Sequence, residues 1–430
     1  MIDAAELEDL ESFRARLRQW LAENMPKAQP GEHQQTFASD EAELAYLDRN
    51  RKLQRTLFDG GFAGIIFPKE YGGAGLTAAH QQVFNEEIVG YSWPFRLQIA
   101  TFQPCAAVLL EFANHEQKLR LIPAILKGEA IWKQFLSEPS GGSDAAAAQT
   151  TAIKDGDEWV LNGSKIWTTS AWWGDWALCL ARTNWDVPKH RGLTVFMFPI
   201  HQPGVEIQRI EMINGSREFT QEFITDLRVP DIDRLGDVDD GWTVGRRWMH
   251  YEHSFSISFH ITRPAPAPAS ASARSAEVDA TPSEAPPLVS LARDALRFDD
   301  PLARELVGEG HALGLAIAEG NARIGRAVTT GRYVSEASSL TKVLMGTLGI
   351  RLANINFELA GPTAVAWGAG GEGLGVQGVD FLFRQAGLIG GGTVEMSRNA
   401  VSERVLGMPR ERSNDRDIPF RDVQRGPSRS

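Results

Sequence analysis

The chain is poor in cysteine, with only Cys105 and Cys179 among 430 residues. Two thiols are too few for a disulfide framework or for a zinc site of their own, and they fit a reducing compartment. No basic segment followed by an apolar core opens the chain, and no apolar run approaches membrane-spanning length. No leader and no membrane association are therefore expected, and the expected location is cytoplasmic. Positive charge is short as well: 44 Lys and Arg against 55 Asp and Glu leave a net charge of −11, which speaks against nucleic acid and anionic membranes as partners. His250, His253 and His260 lack acidic ligands at a fixed spacing, so no metal is expected. What remains is ordinary globular composition, 43% hydrophobic and 23% charged, in a chain long enough for two or three packed units.

Helical periodicity governs the first part. Leu7, Leu10, Phe13, Leu17, Trp20 and Leu21 predict a helix over 3–23, and Leu44, Leu47, Leu53, Leu57 and Phe58 predict another over 41–59. Further helices are expected at 77–90, with Thr77 as cap, at 104–113 and at 116–127, ended by Lys127-Gly128. From about 131 to 240 the period falls to two, in short β-rich runs such as WALCLAR and LTVFMFP. Gly241 opens a helical region, with a helix over GWTVGRRWMHYEHSFSISFHI and long Ala/Leu/Gly-rich helices at 301–330 and 336–360. Residues 263–287 are Pro-rich and of low complexity. They read as a flexible linker, with a lid or a partner-binding tether as the functional alternative. The expected division is 1–130 helical, 131–240 β, 241–410 helical interrupted by the linker 263–287, and 411–430 a disordered tail.

Chemistry concentrates in Gln134–Trp176. An apolar strand runs into Ser137-Glu138-Pro139-Ser140-Gly141-Gly142-Ser143-Asp144, a tight loop with backbone N–H groups suited to an anion such as a pyrophosphate. An ordinary Gly-rich turn explains these residues equally well when they are taken alone. The sequel WVLNGSKIWTTSA adds Trp167 beside Lys165 and Thr168-Thr169, an indole able to cover a flat ring next to hydroxyls able to bond its edge.

Together these residues resemble the acyl-CoA dehydrogenase family of flavoproteins. Ser137, Glu138, Pro139, Gly142, Ser143 and Asp144 fit its T/S-E-P-x-A/G-G-S-D loop, and Leu161, Asn162, Gly163, Lys165, Trp167 and Thr169 fit the pattern that follows. PKEYGGAGL near residue 70 is similar to a family segment between early helices. Gly392, Thr393, Met396, Arg398, Asn399, Glu403, Arg404, Val405, Leu406, Gly407 and Pro409 fit the family's C-terminal segment. The resemblance implies an α+β fold with an N-terminal helical domain, a central β-barrel-like domain and a C-terminal four-helix bundle. It implies FAD lined by Gln134, Leu136, Ser137, Ser143, Trp167, Thr169, Thr393 and Glu395, and substrate contacts at Ser143, His253 and Gly392.

The implied reaction is α,β-dehydrogenation of an acyl thioester, on CoA or on a carrier protein, as in lipid metabolism. A carboxylate takes the α-proton, the β-hydrogen leaves as hydride to flavin N5, and donors hold the thioester oxygen. Most members carry the base directly before Gly-Thr in the C-terminal segment, where this chain has Gly391. A minority, including isovaleryl-CoA dehydrogenase, supply it from the helix after the β domain, and GWTVGRRWMHYEH puts Glu252 on that position. Gly391 then leaves room for the incoming carboxylate and offers its N–H to the thioester oxygen. The plain alternative for Glu252 is a solvated or ion-paired helix carboxylate. His253 stands where the family usually has Arg, and Ser254, Ser256 and Ser258 leave space for a branched or polycyclic acyl chain.

The family completes FAD binding with a Gln-x-x-Gly-Gly segment of a neighbouring subunit. Here Glu358-Leu359-Ala360-Gly361-Pro362 places a negative charge near the pyrophosphate and removes a donor. An Arg contact to FAD falls on Arg293 or Arg297. The expected partners are an electron-transferring flavoprotein and further subunits, in a homo- or hetero-oligomer, dimer or tetramer. Two alternatives stay open: a flavin monooxygenase or oxidase on the same fold, and a subunit of a heteromeric dehydrogenase whose FAD site a partner completes.

Overall fold

The computed structural model describes residues 7–28, 37, 39–94, 97–260, 287–366, 375–413 and 415–423, without the side chains of residues 99, 100, 103, 253–260 and 329. The linker expected at 263–287 falls outside the described residues except for Pro287, as do the side chains of His253, Ser254, Ser256 and Ser258. The described chain divides into two compact units. One holds the chain up to Glu211, Ser216–Phe255 and the residues from Glu411 on. The other holds Met212–Gly215 and Ser256–Arg410.

The first unit begins with helices α1 (Leu10–Asn24), α2 (Asp40–Asp59), α3 (Ala78–Glu87), α4 (Ala107–Phe112) and α5 (His115–Leu126). Helix α1 starts later than its periodicity alone predicts because the Asp9 side chain accepts from the N–H groups of Glu11 and Ser12 and so caps it. Its buried stripe is Phe13, Leu17 and Leu21, four residues apart. Before α4 the chain makes a π-helical stretch, Gln98–Ala106, around Pro104, which cannot donate to an ordinary helical ladder.

The β region is one eight-stranded sheet in the order β6-β7-β3-β2-β4-β5-β8, with β1 paired to β4. The strands are β1 (Trp132–Phe135), β2 (Thr151–Asp155), β3 (Glu158–Thr169), β4 (Trp176–Arg182), β5 (Leu193–Pro199), β6 (Val205–Ile210), β7 (Phe219–Pro230) and β8 (Arg234–Leu235). Strand β4 is buried on both faces. Leu178 and Leu180 join a core with Val108, Leu109, Ile122 and Trp248 from the helices. Ala177, Cys179 and Ala181 face a second core with Trp159, Leu161, Ile224, Leu227 and Val229 of β3 and β7. The sheet therefore folds over on itself, the barrel-like form expected, with helices against its outer face.

Helix α6 (Gly241–His260) leaves the sheet. A Cβ on Gly241 would lie 2.6 Å from the backbone of Thr194 on β5, so only glycine lets this helix start so close to the strand. Residues 415–423 do not form the unstructured tail expected. Pro419 bridges Pro188 on the β4–β5 loop, and Phe420 is 1% exposed.

The second unit is helical: α7 (Pro287–Asp294), α8 (Pro301–Thr329), α9 (Ser339–Ala360), α10 (Pro362–Val365), α11 (Val376–Phe383), α12 (Ala386–Ile389) and α13 (Val394–Ala400). Asp300 caps α8, and Ala292, Ala303, Leu306, Ile355 and Leu359 form its small core. Among the described residues no helix is long and apolar enough to cross a membrane.

Candidate active site

The segment after β1 runs beside the end of β3. The Ile166 N–H donates to Ser137 O at 2.9 Å, and Thr168 Oγ1 donates to Gln134 O at 3.1 Å. Between Ile166 and Thr168 the register with β7 slips, and Trp167 is the extra residue of a β-bulge. Its φ of +65° is unusual for a bulky side chain, and the indole is 53% exposed, edge-on to Phe219 at 5.9 Å. A large apolar ring held out by a strained backbone is the local signature of a ligand platform.

A buried ion pair holds that platform. Lys165 Nζ, fully buried, donates to Glu138 Oε1 at 2.8 Å, Leu180 O at 2.6 Å and Leu136 O at 3.2 Å. Glu138 also accepts from Thr150 N (2.9 Å), Thr150 Oγ1 (2.6 Å) and Gln149 N (2.6 Å). Burial works to raise the Glu138 pKa, but Lys165 and these donors outweigh it and hold it below the ordinary glutamate value. The Glu138 carboxylate thus closes the base of the Gly-rich loop. The exposed rim of the loop is Pro139, Ser140, Gly142, Ser143 and Asp144. Gly142 faces Ser137 Oγ, from which an added Cβ would be 3.7 Å away.

Gln134, Leu136, Ser137, Ser143, Trp167 and Thr169 are thus gathered on neighbouring segments of the first unit. Helix α6 joins them, since Trp248 Nε1 donates to Gln134 Oε1. Glu252 lies one turn beyond Trp248, half-buried, and its charge helps to raise the Cys105 thiol pKa, after burial itself, which dominates. Arg247 and Tyr251 fix the same helix through Glu111, with Tyr251 Oη donating at 2.6 Å. Cys179 is likewise pushed up, to about 12, by burial, so it is a poor nucleophile near neutral pH.

The expected residues from Arg293 to Glu395 belong to the second unit. Gly391 and Gly392 both have positive φ, +68° and +86°, and nothing lies within 4 Å of a Cβ built on Gly391. Thr393 follows and caps α13, its Oγ1 accepting from Met396 N at 3.1 Å, and Glu395 is exposed in the first turn. Glu358 is paired with Arg351, which also forks Glu309 at 2.6 and 2.7 Å. Arg297 is bound to Asp300 and to the Glu358 carbonyl, while the Arg293 guanidinium lies 4.9 Å over the Phe298 ring.

Family models agree with this architecture: the acyl-CoA dehydrogenase N-terminal domain matches residues 7–129 and the middle domain residues 134–226. The acyl-CoA dehydrogenase IpdE1 of Mycobacterium tuberculosis is 31% identical over an alignment covering 94% of this chain and 99% of that protein. The chain belongs to the acyl-CoA dehydrogenase family. IpdE1 of Mycolicibacterium smegmatis is 30% identical over 94% of the chain and 99% of that protein. Among solved structures, the Tcur3481-Tcur3483 steroid ACAD has a TM-score of 0.69 at 24% identity, covering 96% of this chain and 99% of that one. The ChsE4-ChsE5 complex from Mycobacterium tuberculosis has a TM-score of 0.66 at 24% identity, covering 95% and 100%.

As an acyl-CoA dehydrogenase, the chain is an oxidoreductase and a flavoprotein, with FAD as cofactor and an acyl-CoA as substrate. The residues present fit the cofactor: an exposed indole, adjacent hydroxyls at Ser137 and Thr169, and an exposed loop with Gly142 between small side chains. Trp248 and Glu222 escaped the sequence reading. Trp248 had a signal, the Val244–Trp248 spacing that turns one face of α6 to the core. Glu222 had a weaker one, a carboxylate in the inward phase of a strand, beside Thr220.

Proposed function

We propose that this acyl-CoA dehydrogenase oxidises the Cα–Cβ bond of its acyl thioester with Glu252 as the base. The reading rests on one complementarity: the position usual for the base holds Gly391, and the alternative position holds a half-buried carboxylate. Bound FAD supplies the oxidant that takes up the β-hydrogen with its electron pair. Glu252 takes the α-proton at a carboxylate oxygen, and the two losses leave the α,β-double bond. On α6 Glu252 stands one turn beyond the buried Trp248 and close enough to the buried Cys105 for its charge to act on that thiol. Gly391 donates its N–H to the thioester oxygen, where negative charge grows. Gln134, Leu136, Ser137, Trp167, Thr169, Thr393 and Glu395 hold the cofactor, and Ser143, His253 and Gly392 meet the substrate. Electrons pass on to an electron-transferring flavoprotein.

A second reading concerns assembly. Glu358 and Pro362 stand where a neighbouring subunit of the family completes the FAD site with Gln and Gly. One structural relative is the ChsE4-ChsE5 complex, and another carries the double name Tcur3481-Tcur3483. A homologous partner subunit that completes the site accounts for both substitutions.

The test is anaerobic titration of the purified flavoprotein with acyl-CoA thioesters, for wild type and Glu252→Gln. Flavin bleaching is expected in wild type and is lost in the variant at equal flavin content. Bleaching retained in Glu252→Gln sinks the assignment of the base. Protein that isolates without flavin, and gains it only with a homologous subunit, makes the two-component reading the correct one.

A further inference from the structure

The last described residues are tied to the Gly-rich loop from behind. Lys189, 9% exposed, places its Nζ between Asp144 Oδ2 at 2.7 Å and Asp415 Oδ2 at 2.6 Å. Asp144 ends the Ser137–Asp144 loop, directly after Ser143. Arg182, fully buried at the end of β4, donates to Ala146 O at 2.7 Å, Ala148 O at 2.9 Å and Lys189 O at 3.2 Å. These are the carbonyls of the turn that follows the loop and of the residue that grips Asp144. The Phe420 ring covers this guanidinium at 3.7 Å, with Trp185 beside it at 5.4 Å. Backbone bonds fasten the cover: Phe420 N–H to Val187 O at 2.9 Å and Arg421 N–H to Trp185 O at 3.0 Å.

Without residues 415–423, Lys189 would keep one carboxylate of two and Arg182 would face water in place of an aromatic ring. Both cations would then be freer to leave the loop. The charge state agrees with the geometry. Hydrogen bonding from Lys189 is the largest cause holding the Asp415 carboxyl near a pKa of about 2. Burial works against the lysine's charge, yet Asp144 and Asp415 keep its pKa above the ordinary value.

We propose that residues 415–423 are a strap that orders the Gly-rich loop for its ligands, with Lys189 and Arg182 as the positioning residues that pass the order on. The inference rests on the reading of that loop as part of the cofactor and substrate site. Neither cation touches the reacting atoms in this account. Each acts by fixing the backbone that presents Ser143.

The experiment compares full-length wild type, Asp415→Asn and the control Asp422→Asn, which makes the same charge change on an exposed strap residue. Two readouts are taken: amide hydrogen exchange over 139–148, and FAD affinity of the flavin-stripped protein by quenching of flavin fluorescence. For Asp415→Asn the expected results are about tenfold faster exchange in 139–148 and about tenfold weaker FAD binding, the loss of one charge-assisted hydrogen bond. Exchange within β3 and β7 stays at the wild-type rate, and Asp422→Asn matches wild type in both readouts. Because Phe420→Ala risks the fold of the β4–β5 loop, it is read only by the ratio of exchange in 139–148 to that in β3, which rises. Wild-type exchange in 139–148 for Asp415→Asn overturns the strap. Faster exchange at unchanged FAD affinity overturns the cofactor reading of the loop on which the inference stands.

Discussion

Glu222 makes the sharpest test of the electrostatics behind the site. It is fully buried on β7, and its oxygens meet Thr168 Oγ1 at 3.0 Å and Thr220 Oγ1. Each of those hydroxyls also faces a carbonyl, Gln134 O for Thr168 and Thr168 O for Thr220. One hydroxyl proton cannot serve two acceptors. Lys165, across the ladder from Glu222, has committed its three protons to Glu138, Leu136 and Leu180. A protonated Glu222 eases the shortage: its O–H donates to one threonine, which then donates to its carbonyl. Burial accordingly pushes its pKa from 4.5 to about 7, outweighing the two threonines and Lys165. The sign follows from proton counting. Between about pH 4.5 and 7 the folded state holds a proton that the unfolded state has lost, so stability falls as pH rises through this window. The full cost is about 3 kcal/mol above pH 7, taking about 1.4 kcal/mol per unit. Glu222→Gln keeps a donor at the same place and carries no charge. The stability difference between variant and wild type should therefore swing by about 2.5 kcal/mol in favour of the variant from pH 5 to pH 8. That is roughly 5–10 °C in Tm on the scale of units of 150–250 residues. Thermal melts followed by tryptophan fluorescence across this range measure it. Wild-type and variant curves that run parallel in pH would refute the argument.

Three further substitutions probe the platform. Lys165→Met leaves Glu138 buried without its counter-charge and should cost about 3–5 kcal/mol in denaturant unfolding, with partial recovery when Glu138→Gln is added. Gly163→Ala would put a Cβ 2.5 Å from Thr150 Oγ1 and 2.7 Å from its Cα, backbone that cannot yield. A loss of about 1–3 kcal/mol is expected by the same assay. Trp167→Gly removes a bulky residue from φ +65°, so the melting temperature should hold or rise while flavin content of the purified protein falls. Flavin retained in full by this variant would remove Trp167 from the cofactor site.

The helices were legible because their information is local. Asp9, Ser39 and Thr77 stand directly before α1, α2 and α3, and the apolar stripes behind them recur every three or four residues. The β region was legible as a change of period, but its fold-over came only from the family resemblance and not from the strands themselves. Strand β4 reads simply as an apolar run, and nothing in WALCLAR says that one face meets helices and the other meets β3 and β7. The bulge at Trp167 was also hidden. It depends on the register with β7, some fifty residues away, and a register slip leaves no mark in the composition of one strand.

For the site, fixed offsets identified the loop and the indole but not what holds them. The carboxylate of Glu138 reads like a solvent-facing loop residue until Lys165 and Thr150 are seen to converge on it. Asp415 lies 226 residues from Lys189, in a charged, Pro-containing segment whose composition reads as disorder. That reading failed because order there needs no core of its own. One aromatic ring, Phe420, is enough when a buried guanidinium already waits on the sheet, and one carboxylate is enough when a lysine already has another to share. A short segment can therefore be ordered by the charges, rings and backbone groups of the domain it covers. It is those charges, on β4 and its following loop, that also carry the backbone of the Gly-rich segment.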